Sequence, residues 1–203
     1  MRRCARCRLH VPLCVCPILP RIATRTRVVL VPSEREWERP SNTGRIAVLS
    51  LVRAELAVWD RDLDPALLLR DGHTHFLLHP SGDPPLLEPV GGPVSLLVPD
   101  GTWRESSRIA RRLERLSGVA RVRLDAAPRI GLRDAPRPGH IGTCDAIADA
   151  LEVLGDLDAA LELRAALRVM MDRTLWVRGQ LEAAQVTGGL PIEVRRAMSE
   201  PGR

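Results

Sequence analysis

Four of the five cysteines fall within the first sixteen residues, as Cys4-x2-Cys7 and Cys14-x-Cys16. Thiolates are soft ligands, and four of them suit tetrahedral Zn²⁺ with no open position, which is a structural site. Two close pairs joined by a short loop can wrap one ion, and Arg2, Arg3, Arg6 and Arg8 offset the excess negative charge. An iron–sulfur cluster is the main rival occupant. Two disulfides are the bland alternative, suited to an oxidising compartment. His10 lies between the pairs and stands near the site.

A second group of reactive residue types surrounds Asp100. Val94, Leu96, Leu97 and Val98 form the short apolar run of a strand buried on both faces, and Pro99, Asp100 and Gly101 end it. Thr102 followed by Glu105 has capping-box spacing, so a helix starts here with Thr102 as N-cap. Ile109, Leu113 and Leu116 make one apolar stripe, while Arg104, Arg108, Arg111, Arg112 and Arg115 fall largely off it, towards solvent. Asp100 thus sits at the carboxyl end of a strand, the edge where ligands gather in α/β sheets.

Two further polar turns carry residue types suited to chemistry. Asn42, Thr43, Gly44 and Arg45 precede an apolar-periodic run and read as a cradle for an anion or as a plain helix cap. Thr143 is a candidate N-cap for a helix over 144–154, with Asp145 in its first turn. His73, His75 and His79 are spaced along a strand read over 74–78, but no acidic or cysteine neighbour completes a metal site there. Cys144 reads as a small buried apolar residue.

Elements must hold these residues. Strands are read at 27–32, 57–59, 74–78, 94–98 and 119–124, and helices over 41–56, 103–116, 144–154 and 157–178. Strands alternating with helices predict a mostly parallel α/β sheet with helices on both faces. The division expected is a cysteine knuckle over 1–20, a catalytic domain over 21–178 and a partly ordered tail over 179–203. Residues 125–142 are rich in Pro and Gly, and an irregular stretch of that length in a compact domain is usually functional.

Composition bounds the function. The chain has 203 residues and a hydrophobic fraction of 45%, enough for one sizeable domain. All 30 basic residues are Arg, and the net charge of +5 favours a polyanionic partner, RNA or DNA above membrane. No apolar run approaches the roughly 18 residues of a membrane span, and no apolar stretch follows the charged start as in a secretory signal. The expectation is a soluble, cytoplasmic protein.

Four of these pieces, in this order, resemble one family. They are Cys-x2-Cys…Cys-x-Cys at 4–16, Ser-Asn-Thr-Gly-Arg at 41–45, Asp-Gly-Thr-Trp at 100–103 and Thr-x-Asp-Ala at 143–146. The chain is similar to the DTW-domain family, the tRNA-uridine aminocarboxypropyltransferases, over about residues 4–178. Three departures stand out. Val31 occupies a position where the family often has His, Ser41 replaces a Thr, and Asp145 replaces a Glu.

The resemblance implies an enzyme that moves the 3-amino-3-carboxypropyl group of S-adenosylmethionine to N3 of a tRNA uridine and releases 5′-methylthioadenosine. It also implies kinship with SPOUT-type methyltransferases, and a trefoil knot near the C-terminus whose loop would fall at 125–142. Asp100 is the expected catalytic residue. Cofactor contacts are expected from Asn42, Thr43, Gly44, Arg45, Asp100, Gly101, Thr102, Trp103, Arg133, Thr143 and Asp145. Arg104, Arg108, Arg111, Arg112 and Arg115 would face RNA phosphates, Cys4, Cys7, Cys14 and Cys16 would hold zinc, and the protein is expected to be monomeric.

The role of Asp100 is left between two. An ordinary Asp, with a pKa of about 3.9, is a weak base unless burial raises it; a carboxylate that binds the cofactor ammonium and so aims the right carbon serves equally well. Three rivals remain: a methyltransferase on the same fold, a zinc-knuckle RNA-binding module without catalysis, and a metal-dependent hydrolase using the three histidines.

Overall fold

The computed structural model describes residues 2–60, 62–125, 132 and 141–199. Its centre is a five-stranded sheet with every strand pairing parallel, in the order β2-β1-β4-β3-β5. The strands are β1 (Arg27–Pro32), β2 (Ala54–Leu56), β3 (Thr74–Leu78), β4 (Val94–Asp100) and β5 (Arg121–Val122). All seven residues of β4 and all six of β1 are buried, as expected of central parallel strands covered on both sides.

Alternate residues of these strands feed two cores. Val28, Leu30, Leu96 and Val98 face α2 (Gly44–Ser50), α4 (Thr143–Val153) and α5 (Leu157–Val177). Val29, Val31, Leu77 and Leu97 face α3 (Trp103–Ser117), which contributes Ile109, Ala110 and Leu113. The expected parallel α/β sheet with helices on both faces is therefore the architecture. No described helix is long and apolar enough to cross a membrane.

The topology creates one crevice. From β1 the chain crosses by α2 to β2 on one side, whereas from β4 it crosses by α3 to β5 on the other. Neighbouring strands whose connections diverge leave a gap beyond their carboxyl ends. Pro32 of β1 pairs with Asp100 of β4, so Asp100 stands at that gap.

Several boundaries differ from the sequence reading. The helix expected over 41–56 ends at Ser50, and Ala54–Leu56 instead pairs with Val28–Leu30 as an edge strand. Sheet pairing here overrides helical periodicity. Leu116 is 50% exposed, because the last turn of α3 runs past the apolar cluster that Ile109 and Leu113 fill. The segment after Gly179 is more than a tail. A 3-10 turn at Ala183–Gln185 and α6 (Ile192–Ser199) follow, and Val186 and Leu190 pack with Leu13 of the knuckle. The knot loop expected at 125–142 lies mostly outside the described residues, as does Arg133.

Candidate active site

Asp100 is 2% exposed, and two distant chain segments close on its carboxylate. Asn42 Nδ2 donates to Oδ2 at 2.6 Å, and Thr143 Oγ1 donates to Oδ1 at 2.6 Å. Its own turn, Gly101–Thr102, leads into α3. There the capping box is complete: the Thr102 amide donates to Glu105 Oε2 at 2.9 Å, and the Glu105 amide donates to Thr102 Oγ1 at 3.4 Å. The Thr102 hydroxyl, with burial opposing and Arg39 and Arg35 assisting, holds the Glu105 carboxyl below its usual pKa.

The Asn42–Arg45 turn is built differently. Asn42 Oδ1 accepts the Arg45 amide at 3.0 Å, while its Nδ2 also reaches Glu36 Oε1 at 3.4 Å. One buried amide therefore joins the start of α2 to two carboxylates. Gly44 is the residue that lets the turn approach, since a Cβ there would lie 3.0 Å from Leu30 Cδ2 and 3.2 Å from Asp100 Oδ2. Thr43 Oγ1 accepts the Cys144 amide at 3.4 Å, which ties this turn to the start of α4.

Thr143 was expected to cap α4, but its hydroxyl goes to Asp100 and the N-cap is Gly142, without a side-chain cap bond. Asp145 folds back over that helix start; its Oδ2 is 3.2 Å from where a Gly142 Cβ would be. Arg45, expected among the cofactor contacts, is 2% exposed and engaged elsewhere. Its guanidinium lies 3.8 Å from the Trp37 ring centroid, donates to the Trp37 carbonyl, and donates to the Arg6 carbonyl at 3.0 Å. Burial holds its pKa below the usual value, with Arg8 adding to the fall and Glu38, Cys7 and Asp100 opposing it.

Trp103 is half-buried and leans on His79, with ring centroids 5.1 Å apart. The Ser81 amide donates to His79 Nδ1 at 3.1 Å, so Nε2 carries the proton and donates to Ser106 Oγ at 3.1 Å. Ser106 in turn donates to the Thr102 carbonyl at 3.1 Å, which links His79 to the turn after Asp100. His73 bonds Ser95 Oγ at 2.9 Å, and His75 accepts the Arg70 amide at 2.9 Å. The three histidines therefore serve different partners, and among the described residues the group fit to hold a metal ion is the four N-terminal cysteines.

Those four sulfurs lie within 4.8 Å of one another and form no disulfide. The Cys4–Cys14, Cys7–Cys14 and Cys4–Cys16 separations are 3.5, 3.7 and 3.8 Å. With zinc–sulfur bonds of about 2.3 Å, a tetrahedral site needs sulfurs about 3.8 Å apart. The donor set fits one zinc ion; a cluster of several irons needs its thiolates farther apart. Burial raises the Cys16 and Cys14 thiols, whereas Cys4, despite burial, is brought down to about 6 by backbone hydrogen bonds from Cys7 and Arg6.

Arg104, Arg108, Arg111, Arg112 and Arg115 are all exposed on α3, and Arg112 lies 5.8 Å from the Trp59 ring centroid. Sequence reasoning missed Glu36, Trp37 and Arg173 as parts of the site and its support, and considered His79 only as a metal ligand. Only Glu36 had a readable local signal. Ser33-x2-Glu36 has cap spacing, and the Glu36 amide does donate to Ser33 Oγ at 3.2 Å, opening the one-turn helix α1 (Glu34–Trp37).

The family model described as the DTW domain matches residues 1–175. The chain belongs to the DTW-domain family. The match begins at the knuckle and runs through α4 into the end of α5, so all the segments that meet at Asp100 lie inside it. The tRNA-uridine aminocarboxypropyltransferase 2 of Drosophila melanogaster is 30% identical over 180 residues, 81% of this chain and 70% of that protein. No solved structure matches. The Asp-Gly-Thr-Trp turn of this DTW domain is thus the point where its other motifs converge.

Proposed function

We propose that this DTW-domain protein transfers the 3-amino-3-carboxypropyl group of S-adenosylmethionine to N3 of a uridine in tRNA. The observation that carries the reading is the buried Asp100 carboxylate at the sheet's crevice, gripped by Asn42 and Thr143 from two of the other family motifs. The name of the Drosophila relative supports the reaction class. The exposed arginines of α3 beside the crevice supply positive charge suited to an RNA backbone.

In this reaction N3 attacks the carbon next to the sulfonium, the N–C bond forms, and the C–S bond breaks. Its electron pair goes to sulfur, which leaves as the neutral thioether 5′-methylthioadenosine, and N3 gives up its proton to solvent. The leaving group is already good, so the protein's task is to choose the carbon and hold it in line. Such positioning is worth on the order of 7–11 kcal/mol. Hydrogen bonds donated to a carboxylate favour its charged form. Asp100, held between an amide and a hydroxyl, is therefore suited to fix the cofactor's ammonium and so aim the aminocarboxypropyl carbon at N3.

Asn42, Thr43, Gly44, Gly101, Thr143 and Asp145 form the walls that keep Asp100 in place, and Trp103 stands at the mouth as a stacking surface for a base or for adenine. Arg45 acts through Asn42 and not on the cofactor. Zn²⁺ held by Cys4, Cys7, Cys14 and Cys16 would supply rigidity alone, since four cysteines leave no coordination site for chemistry.

The test is nucleoside mass spectrometry of unmodified tRNA incubated with the protein and S-adenosylmethionine. The expected result is an aminocarboxypropyl gain on uridine with release of methylthioadenosine. Asp100→Ala should lower the rate by about 10²–10³-fold, the usual cost of removing one aimed electrostatic group. A methyl gain with S-adenosylhomocysteine would reassign the protein to the methyltransferases. Bound tRNA without product would reduce it to an RNA-binding module.

A further inference from the structure

We propose that the cysteine knuckle is part of the scaffold of the Asp100 site, and that Arg45 is the positioning residue through which it acts. This rests on the site assignment above but not on the identity of the reaction.

The connection can be followed bond by bond. The turn over 4–8 is closed by the Arg8 amide donating to the Cys4 carbonyl at 3.0 Å, so two of the sulfur ligands frame the Arg6 carbonyl. Arg45 Nη1 donates to that carbonyl at 3.0 Å. The same guanidinium donates to the Trp37 carbonyl and stacks on the Trp37 ring, which anchors α1. The Arg45 amide then donates to Asn42 Oδ1 at 3.0 Å, and Asn42 Nδ2 donates to Asp100 at 2.6 Å. From sulfur ligand to candidate catalytic carboxylate, the path runs through the Arg6 carbonyl, Arg45 and Asn42.

Energetics make this path more than a contact. A guanidinium that is 2% exposed depends on its partners, because a buried charge left without them carries a large desolvation cost. If the 4–8 turn opened, Arg45 would lose its Arg6 acceptor and turn towards water, drawing the Asn42–Gly44 backbone with it.

The knuckle is also seated in the main core, not tethered beside it. Cys7, Leu9 and Val15 belong to the same buried cluster as Leu30, Ile46 and Leu96. On its far side Arg173 of α5 donates to the Leu13 and Cys14 carbonyls at 3.2 and 2.9 Å. With Arg173 fixing the Cys14 arm to the long helix, movement on loss of metal is directed to the 4–8 arm that Arg45 reads. A structural zinc site folds with its ion and opens without it. Metal occupancy should therefore set how well Asn42 and Asp100 are aligned.

Hydrogen–deuterium exchange on the full chain tests the coupling without reference to any reaction. Zinc-loaded and chelator-stripped protein are compared, with metal content measured in each. Stripping is expected to speed exchange by about tenfold or more in residues 42–47, as well as in 2–16, while residues 160–170 of α5 stay protected. Arg45→Lys keeps the charge but not the stacked, two-acceptor fork. It should open residues 42–47 while its knuckle keeps both zinc and protection.

Affinity for S-adenosylmethionine, by calorimetry, should fall about 10–100-fold in both cases, the range seen when a supporting shell around a site is lost. Affinity for tRNA should fall far less for Arg45→Lys than for stripped protein. Deprotection confined to 2–16, with residues 42–47 unchanged on stripping, overturns the proposal and leaves the knuckle an appendage. If the loaded wild type shows the exchange coupling but binds no S-adenosylmethionine, the coupling stands and the proposed function falls.

Discussion

The two turns that meet at Asp100 are stabilised in opposite ways. The Gly101–Trp103 turn opens a fifteen-residue helix with a complete capping box at one end and Gly118 at the other, in the left-handed conformation at φ 71°. Gly tolerates that conformation without strain, and the Gly118 amide closes the last turn onto Glu114. Nearly every feature of this turn is made within a few residues of sequence. The Asn42–Arg45 turn opens a helix of only seven residues that has no side-chain cap from its N-cap residue. It is held by Asp100, Glu36, Trp37, Arg6 and Cys144, contributed from four other places in the chain. One half of the site is locally encoded and the other is a product of assembly, so the second half is where damage elsewhere will be felt.

Substitutions can break this contrast in order of size. Asn42→Ala removes the amide that donates to Asp100 and the oxygen that accepts from Arg45, both buried. It should cost about 3 kcal/mol, because the groups left behind include a buried carboxyl group. Urea unfolding would read this as a lower midpoint, and transfer activity should fall with it. Gly44→Ala keeps every polar partner but adds a Cβ that crowds Leu30 and Asp100. Overpacking of that kind costs about 1–2 kcal/mol, and the rate should drop by more than the stability, since the methyl group presses on the site itself.

Thr102→Ala addresses the local half. Loss of a helix cap costs about 1 kcal/mol, and the residue is exposed, so substrate affinity should change little. An activity loss for Thr102→Ala as large as that for Asn42→Ala would erase the distinction between the halves. The smallest effect is on pH dependence. The Glu105 carboxyl, held low first by the Thr102 hydroxyl, contributes stability that is present above its unfolded value of about 4.3 and is lost as pH falls through its folded value. Thermal melts from pH 5 down to pH 3 should therefore fall less steeply for Thr102→Ala than for the wild type.

Legibility followed the same division. The buried strands β1 and β4, the capped helix α3 and the long helix α5 carry their patterns in contiguous residues, and the structure has them at or close to the positions read. The helix expected over 41–56 was misread because its second half is recruited to a sheet edge, a decision made by β1 and not by its own residues. The Thr143 hydroxyl was assigned to its own helix and is used by a residue 43 positions away. Arg45 was marked for a ligand by its motif, yet its partners Arg6 and Trp37 lie in segments whose approach no local pattern announces.

By itself, the sequence determined which residue types were available for chemistry: four thiols at wrapping distance, one carboxylate ending an apolar strand, and an arginine-lined helix. Those features depend on periodicity of 2.0 and 3.6 residues and on spacings of two to four, all within reach of a single turn of chain. The family resemblance implied that Asn42, Thr143 and Asp100 serve one site; the tertiary structure decided that the amide and the hydroxyl grip the carboxylate itself, and that the knuckle leans on that crevice through Arg45. The physical reason is the strand order. Placing β4 beside β1 brings the ends of distant segments together, and buried polar groups there must find one another because water is excluded.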